Sequence, residues 1–344
     1  MPTRRVGFAY SPTFLEHYTG PHHPERPARL TAILEGLRRG GTLERLQVWE
    51  PVPTDETTLE LVHTPEHVRF IKDFLARGGG HIDADTVSSS ASWDAALRAV
   101  QAAVDATQRV LDGQLDAAFC AVRPPGHHAT PGQAMGFCLF NNAAIAAAWL
   151  LANKRAQRVA ILDYDVHHGN GTQDAFYDRD DVLYVSTHQY PFYPGTGFWQ
   201  QTGDAAGHGY TVNISLPPGC GDAVYAAALE RIIEPVVKRY APEFVIVSLG
   251  FDAFWQDPLA QMQLSISGYA RLLRSAMLLS GGRLVVALEG GYDLDALALG
   301  ADSLCRILLG EDPPADTLGG PPDQLDVANV EPLLERMQQL HSVR

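Results

Sequence analysis

Four segments of the sequence place ionisable or metal-ligating side chains within or directly after an apolar run. The runs are DAAFCAV, VAILDYD, FVIVSLG and LVVALEG, and the side chains are His127 and His128; Asp163, Asp165, His167 and His168; Asp252; and Tyr292. Such runs are typical of buried parallel strands, whose carboxyl ends meet at one edge of a sheet. We therefore expect these side chains to form one site.

Two carboxylates and one imidazole in this set have the spacing of a metal site. Asp165 and His167 are two residues apart, so on extended backbone they project to the same side, with Asp163 also on that side. Asp252 can complete the set from another strand. Three protein ligands leave a coordination position open, as in catalytic zinc sites. Zinc fits a hydrolytic role, although Fe²⁺ and Co²⁺ also suit these ligands.

The pair His127 and His128 leaves another interpretation open. It follows two prolines and a glycine, and spacing alone allows it to ligate a second metal ion in a binuclear site. Any one of these polar residues, taken alone, is more often a capping or hydrogen-bonded structural group than a ligand. Their joint position after four separate strands favours a functional site.

The elements that must position these residues predict an α/β fold. Short apolar or aromatic runs predict eight strands, over residues 5–10, 46–50, 116–122, 159–165, 182–187, 210–216, 244–249 and 284–288. Most runs lack alternation, as strands covered on both faces by helices require, so the predicted sheet is parallel. Helical periodicity follows Ser92, a candidate N-cap, up to Gly113; further helices are predicted after Asn141 or Asn142, over 223–240 with a kink at Pro235, and over 267–280.

We predict a catalytic domain over residues 1–310, followed by a segment over 311–344 that does not belong to it. Residues 311–323 are rich in Pro and Gly, and residues 327–339 have the spacing of one amphipathic helix. The sequence does not decide whether this helix docks on the domain.

The composition excludes some partners. The 344 residues contain 26 Lys+Arg and 40 Asp+Glu, a net charge of −14, and no basic run, so we expect no nucleic-acid partner. No apolar stretch approaches the roughly 20 residues that span a bilayer, so we expect no membrane partner. The four cysteines are scattered, which predicts reduced thiols and a cytoplasmic protein. The oligomeric state stays open.

Seven strings of the sequence together carry a family resemblance. They are RPPGHHA at 123–129, GFCLFNNAAIAA at 136–147, DYDVHHGNGTQDAFY at 163–177, STHQ at 186–189, YPGTG at 193–197, GFD at 250–252 and EGGY at 289–292. In this order they resemble the zinc-dependent histone deacetylase family, including its acetylpolyamine amidohydrolases, and are most similar to the class II pattern. The resemblance implies a single arginase-like α/β domain with an eight-stranded parallel sheet.

The resemblance also implies a role for each chemical group. Asp165, His167 and Asp252 would bind zinc. His128 would act as general base and then as acid, next to a supporting His127. By the same resemblance, the remaining catalytic groups are Asp163, which orients His127; Asn170, which contacts His128; and Tyr292, which donates its hydroxyl to the developing oxyanion.

Further residues would bind the substrate and a structural monovalent cation, in this family potassium. Phe137 and Tyr193 would be aromatic walls of a narrow tunnel with Gly136 at its floor, and Leu259 would lie at the rim, where polyamine-selective members carry a glutamate. The cation would be held by Asp163, Asp165, Ser186 and the backbone of His167 and Thr187, and a second cation is implied near Phe176, Arg179, Val182 and Tyr210.

These inferences predict an enzyme that hydrolyses the amide of an N-acetyl-lysine peptide or protein, or of a similar acylated alkylamine, and releases acetate. An acetylpolyamine amidohydrolase is the first alternative. A non-catalytic acyl-lysine binding protein is the second, although Tyr292 and the predicted ligands, which such a protein is expected to lack, are all present. A binuclear ureohydrolase is disfavoured because the DYDVHH segment and Asp252 do not supply its bridging ligands.

Overall fold

The structure is a computed structural model, and it describes residues 4–342. Within these residues, ten strands form a large sheet and a small hairpin. The strands are β1 (Val6–Ala9), β2 (Gln47–Trp49), β3 (Gly79–His81), β4 (Val87–Ser89), β5 (Ala117–Cys120), β6 (Val159–Asp163), β7 (Val182–Gln189), β8 (Thr211–Leu216), β9 (Phe244–Leu249) and β10 (Leu284–Leu288).

The large sheet is parallel and has eight strands, in the order β2-β1-β5-β10-β9-β6-β7-β8. Each of its strands coincides with one of the eight predicted runs, although β7 continues two residues past its run to Gln189, and the predicted fold class is confirmed. The two short strands β3 and β4, which the sequence did not predict, pair with each other in antiparallel orientation. Five strands that are neighbours in the large sheet carry the predicted site segments at their carboxyl ends: β5, β10, β9, β6 and β7.

Eleven α-helices are present in the described part of the chain. They are α1 (Ala28–Arg39), α2 (Glu56–Leu59), α3 (Pro65–Ala76), α4 (Ser92–Leu111), α5 (Asn142–Ala152), α6 (Asn170–Phe176), α7 (Asp222–Ala228), α8 (Glu234–Tyr240), α9 (Ile266–Leu279), α10 (Leu294–Leu309) and α11 (Val327–Leu340). Helices α4 and α5 pack on each other and on central strands, while α1, α9 and α10 form a second packed group.

Helix ends follow the sequence in most places. Asn141 is the N-cap of α5, and its side chain accepts a hydrogen bond from the amide of Ala144. The prediction that Ser92 is an N-cap is wrong. Ser92 is the first residue of α4, and its hydroxyl accepts a hydrogen bond from the amide of Ser89. The predicted kink near Pro235 is a π-helical turn over Leu229–Ile233 that separates α7 from α8.

The C-terminal helix α11 docks on the domain. It buries Val330, Leu334 and Met337 and contacts α7 and the π-helical turn.

The four cysteines are buried free thiols, as predicted. Across residues 4–342, none of the helices combines the length and apolar character that a membrane crossing requires.

A fully buried ion-pair network fastens the chain near the carboxyl edge of the sheet. Glu25 pairs with Arg29 at 3.0 Å and accepts a 2.7 Å hydrogen bond from Arg123, and all three side chains have no exposed surface. Burial by itself raises the pKa of Glu25, but the two guanidinium groups, led by Arg123, outweigh it and hold that pKa well below its usual range. Arg29 also donates to the backbone carbonyls of Glu289 and Gly291, so the network reaches the loop after β10.

Replacing one partner of this network should destabilise the protein strongly. Glu25→Gln leaves two buried guanidinium groups without a counter-charge, so we expect the free energy of unfolding to fall by about 3–5 kcal/mol. Urea unfolding measures this change. Glu335→Gln, on the exposed face of α11, is the control and should change stability by less than about 0.5 kcal/mol. Equal effects of the two substitutions would contradict the role of the network.

Candidate active site

The predicted site segments meet at the carboxyl edge of the sheet because β5, β10, β9, β6 and β7 are neighbours there. A cavity of about 250 Å³ opens at this edge. It is lined by twelve residues: Asp85, Pro125, His127, His128, Gly136, Phe137, His167, Phe192, Tyr193, Leu259, Gly290 and Tyr292. All four predicted substrate-binding residues are therefore brought to one cavity with His127, His128 and Tyr292. A separate cavity of about 760 Å³, between Arg158, Tyr210 and Tyr240, contains none of these chemical groups.

Asp165, His167 and Asp252 form a cluster of metal-ligand geometry. One ligand atom from each lies within 4.8 Å of the others. Nδ1 of His167 is 3.1 Å from Oδ1 of Asp165 and 3.2 Å from Oδ2 of Asp252. The two carboxylates are fully buried, and His167 is 9% exposed. Two buried negative charges beside one imidazole match the charge of a divalent cation.

The surroundings of this cluster fit a metal ion. Among residues 4–342, the buried Oδ2 of Asp252 accepts no well-oriented hydrogen bond, although Nδ1 of His167 lies 3.2 Å from it; Oδ1 accepts a hydrogen bond from the amide of Val166. Such an orphaned buried oxygen is costly unless a cation covers it. Two glycines hold the carboxylates close to the backbone: a Cβ would lie 2.0 Å from Asp252 at Gly290 and 2.0 Å from Asp165 at Gly250.

The route by which Asp165 and His167 meet differs from the prediction. Strand β6 ends at Asp163, and residues 165–167 form a bend rather than extended backbone. The side chains still converge because the amide of His167 donates a 2.9 Å hydrogen bond to Oδ1 of Asp165. The bend is also fixed by Asp163, whose Oδ1 accepts from the amide of Asp165 at 3.2 Å.

His127 and His128 lie in different electrostatic surroundings. Burial lowers the pKa of His127, but the charges of Asp163, 3.1 Å from its Nδ1, and of Asp165 outweigh burial and raise that pKa to about 10. The pKa of His128 is well below its usual value because of burial and then the positive charge of the neighbouring His127. At neutral pH, His127 is therefore charged and His128 neutral.

Asn170 determines which nitrogen of His128 carries the proton. Its Oδ1 is 2.8 Å from Nδ1 of His128, while its amide nitrogen faces Sδ of Met135 and the carbonyl of His128. A carbonyl oxygen only accepts, so Nδ1 of the neutral imidazole must donate. The other nitrogen, Nε2, keeps a free lone pair and can take up a proton.

Tyr292 and the aromatic side chains surround the cavity. The ring of Tyr292 lies 6.0 Å from that of Phe137, edge to face, and the guanidinium of Arg29 lies 5.2 Å from its centre. Burial, followed by the negative charge of Asp252, raises the pKa of Tyr292 well above its usual value, so its hydroxyl stays protonated and can donate. Tyr193 stands edge-on to His128 at 5.2 Å.

The turn at Gly136 and Phe137 has an unusual backbone. Both residues have positive φ values, 55° and 70°, which is uncommon for a phenylalanine. A side chain at Gly136 would lie 2.4 Å from the ring of His128, so only glycine lets this turn pack against the imidazole. The amide of Phe137 is held by the hydroxyl of Thr86 at 3.2 Å.

The residues of the predicted cation site are adjacent across β6 and β7. Asp163 is the register partner of Ser186, and Thr187 follows it. All three are fully buried, and the hydroxyl of Thr187 has no hydrogen-bond partner within residues 4–342. Ser186 is bonded to His188 at 2.8 Å.

The sequence did not reveal several residues that shape the cavity. Phe192 stacks on the imidazole of His167 at 5.3 Å and 18°. Glu289 is buried and accepts hydrogen bonds from the amides of Gly126 and His127 and from the hydroxyl of Ser248. An acidic residue at the end of the apolar run LVVALE is a sign that could have identified Glu289, whereas nothing local marks Phe192.

The fold and the site together define an α/β enzyme of the amide-hydrolysing, deacetylase class. Residues 23–308 match the family model for the histone deacetylase domain, and the chain belongs to the histone deacetylase family. It is 44% identical to the "Probable deacetylase" of Archaeoglobus fulgidus over 84% of this chain and 82% of that one. It is 38% identical to the "Histone deacetylase-like amidohydrolase" of Pseudomonas aeruginosa, over 84% of this chain and 82% of the relative. The crystal structure of the HDA15 HD domain superposes with a TM-score of 0.87 at 36% identity, covering 98% of each chain.

Removal of the imidazole should abolish metal binding. In His167→Ala, the two carboxylates lose the third ligand, so we expect the metal retained after dialysis to fall about tenfold or more relative to the wild type. Elemental analysis measures the metal per chain. His208→Ala, at an exposed position, is the control and should retain wild-type metal content. Undiminished divalent metal in His167→Ala would contradict the assignment, and two divalent ions per wild-type chain would indicate a binuclear site.

Proposed function

We propose that this protein hydrolyses the amide of N-acetyl-lysine in peptides or proteins, or of a similar acylated alkylamine, and releases acetate. The observation that carries the proposal is the convergence, around one cavity, of the two imidazoles of His127 and His128, the phenol of Tyr292 and a metal-ligand cluster. Amide hydrolysis needs a base for water, a donor for the oxyanion and an acid for the departing amine. The cavity offers a side chain for each.

Asp165, His167 and Asp252 would hold the divalent metal, for which zinc is the first candidate and Fe²⁺ or Co²⁺ the alternatives. When bound, such an ion supplies Lewis acidity, which polarises the amide carbonyl and makes water more acidic. Asp163, Ser186 and the backbone of Thr187 would hold a structural potassium ion, and the pairing of the buried Asp163 and Ser186 across β6 and β7 supports this role.

His128 would take a proton from the attacking water on Nε2 and return it to the nitrogen of the departing amine. The bond from its Nδ1 to Asn170 supports this role because it leaves Nε2 unprotonated. His127, charged and held by Asp163, would stabilise the negative charge that develops on the carbonyl oxygen, and Tyr292 would donate a hydrogen bond to the same oxygen. The products are acetate and a free amine.

Gly136, Phe137, Tyr193 and Leu259 would bind the alkyl arm of the substrate. Two aromatic rings beside the cavity suit a methylene chain, which gains dispersion contacts with them. Leu259 leaves the rim apolar at the position where a carboxylate would attract a second ammonium group, which favours lysine over a polyamine. The cytoplasmic location and the domain boundary at residue 310 stay predictions from the sequence.

A substrate panel tests the proposed reaction. Wild-type, zinc-loaded protein should release acetate from an acetyl-lysine peptide faster than from N-acetylputrescine or acetylspermidine, as measured by an acetate assay.

Tyr292→Phe should lower kcat about 10²–10³-fold because it removes a donor to the oxyanion. The exposed Tyr18→Phe is the control. Full activity in Tyr292→Phe or in metal-free protein would refute the mechanism, and faster release from the polyamines would select the alternative substrate.

Asn170→Asp tests the role of His128 through pH. A carboxylate beside Nδ1 favours the charged imidazole, so it should raise the pKa of His128. Because a general base must be unprotonated, kcat/KM falls as the pH drops through this pKa. We therefore expect the acidic limb of the kcat/KM profile to move to higher pH by about one unit. Asn329→Asp, on the surface, should leave the profile unchanged; an unchanged profile in Asn170→Asp would contradict the role of His128.

A further inference from the structure

Asp257 is a buried carboxylate that connects the loops after β9 and β10. It is 6% exposed and lies in the segment that leads to Leu259. Its Oδ1 accepts a 2.9 Å hydrogen bond from the amide of Leu259. Its Oδ2 accepts hydrogen bonds from the amides of Tyr292 at 2.7 Å and Asp293 at 3.3 Å. One carboxylate therefore holds the backbone of both a rim residue and the phenol donor.

These backbone amides are the partners that keep the carboxylate buried. Within residues 4–342, Asp257 forms no ion pair with a lysine, arginine or histidine. A buried carboxylate without a counter-ion is stable only when donors satisfy both oxygens. The three amides supply donors to both oxygens, while burial and then the negative charge of Asp252 still raise the pKa of Asp257 to about 7. The connection between the two loops is thus direct and geometrically specific.

Tyr292 needs such a tether because of the residues before it. Gly291 has a φ of 109°, which glycine adopts without strain, and a glycine without a side chain constrains the backbone at this point less than other residues would. The loop is already fixed at Gly290, whose amide donates to Asp165 at 2.7 Å, and at Gly291, whose carbonyl accepts from Arg29. The carbonyl of Gly291 and the amide of Tyr292 belong to one planar peptide group, so Arg29 holds this group on one side and Asp257 holds it on the other.

We infer that Asp257 is a positioning residue that sets the place of the Tyr292 hydroxyl over the cavity and links it to the rim at Leu259. This inference rests on the proposed role of Tyr292 as hydrogen-bond donor. A shift of the donor by a fraction of an ångström weakens its bond to the oxyanion more than it weakens substrate binding. Asp257 therefore acts on the rate through Tyr292, without touching the substrate.

A double-mutant cycle separates this role from a general effect on folding. Asp257→Asn keeps the shape of the side chain but turns an NH₂ group toward one of the amide donors. With activities normalised to bound metal, Asp257→Asn should lower kcat about tenfold in the wild-type background and less than about twofold in Tyr292→Phe. Asp222→Asn is the matched control, because Asp222 also uses both oxygens to hold one residue, Ser265, and neither of them lines the cavity. This substitution should leave kcat within about twofold of the wild-type value.

Hydrogen exchange supplies a readout that does not need activity. In Asp257→Asn, amide exchange should speed up in peptides covering 257–260 and 290–294 and stay at the wild-type rate in the central strands. An equal loss of kcat in both backgrounds, or unchanged exchange at 290–294, would overturn the inference. A wild-type protein that hydrolyses no acetyl-lysine substrate would refute the proposed function instead, and exchange alone would then decide whether Asp257 fixes the loop.

Discussion

The loops at the carboxyl edge of the sheet are tied to one another through buried carboxylates. Glu289, after β10, accepts from the amides of Gly126 and His127 in the loop after β5. Asp252, after β9, accepts from the amide of Val166 in the loop after β6, and Asp165 accepts from that of Gly290. A buried negative charge must find donors, and here the donors are mostly backbone amides of neighbouring loops. The need to satisfy these charges therefore shapes the site.

The same charges separate the two histidines of the site. His127 faces Asp163 and Asp165 and is charged, whereas His128 faces the neutral amide of Asn170 and a charged neighbour and is neutral. Two adjacent imidazoles thus hold different protonation states at one pH because their partners differ. This division suits one group to stabilise negative charge and the other to move a proton. The chemistry of the two histidines therefore depends on the residues that contact them as much as on the imidazoles themselves.

Much of the fold could be predicted because its elements are encoded locally. Runs such as FVIVSLG lack alternation since both faces of β9 are covered, and the cap at Asn141 is set by its own side chain. Local rules also failed in places. The spacing around Ser92 predicts a helix cap, but its hydroxyl accepts a hydrogen bond from the amide of Ser89 at the end of β4. The bend after Asp163 replaces the expected extended backbone. In both cases, side-chain hydrogen bonds that hydrophobic periodicity does not encode determined the observed structure.

The sequence by itself determined the eight strands of the large sheet, their parallel arrangement and the polar residues that follow them, because hydrophobic patterning is a property of short segments. Only the tertiary structure decided how those residues interact. It brought Phe192 onto His167, Glu289 under the tandem histidines and Asp257 against Tyr292. These contacts join loops distant in the chain, and their energies depend on burial and on amide positions that no local pattern encodes.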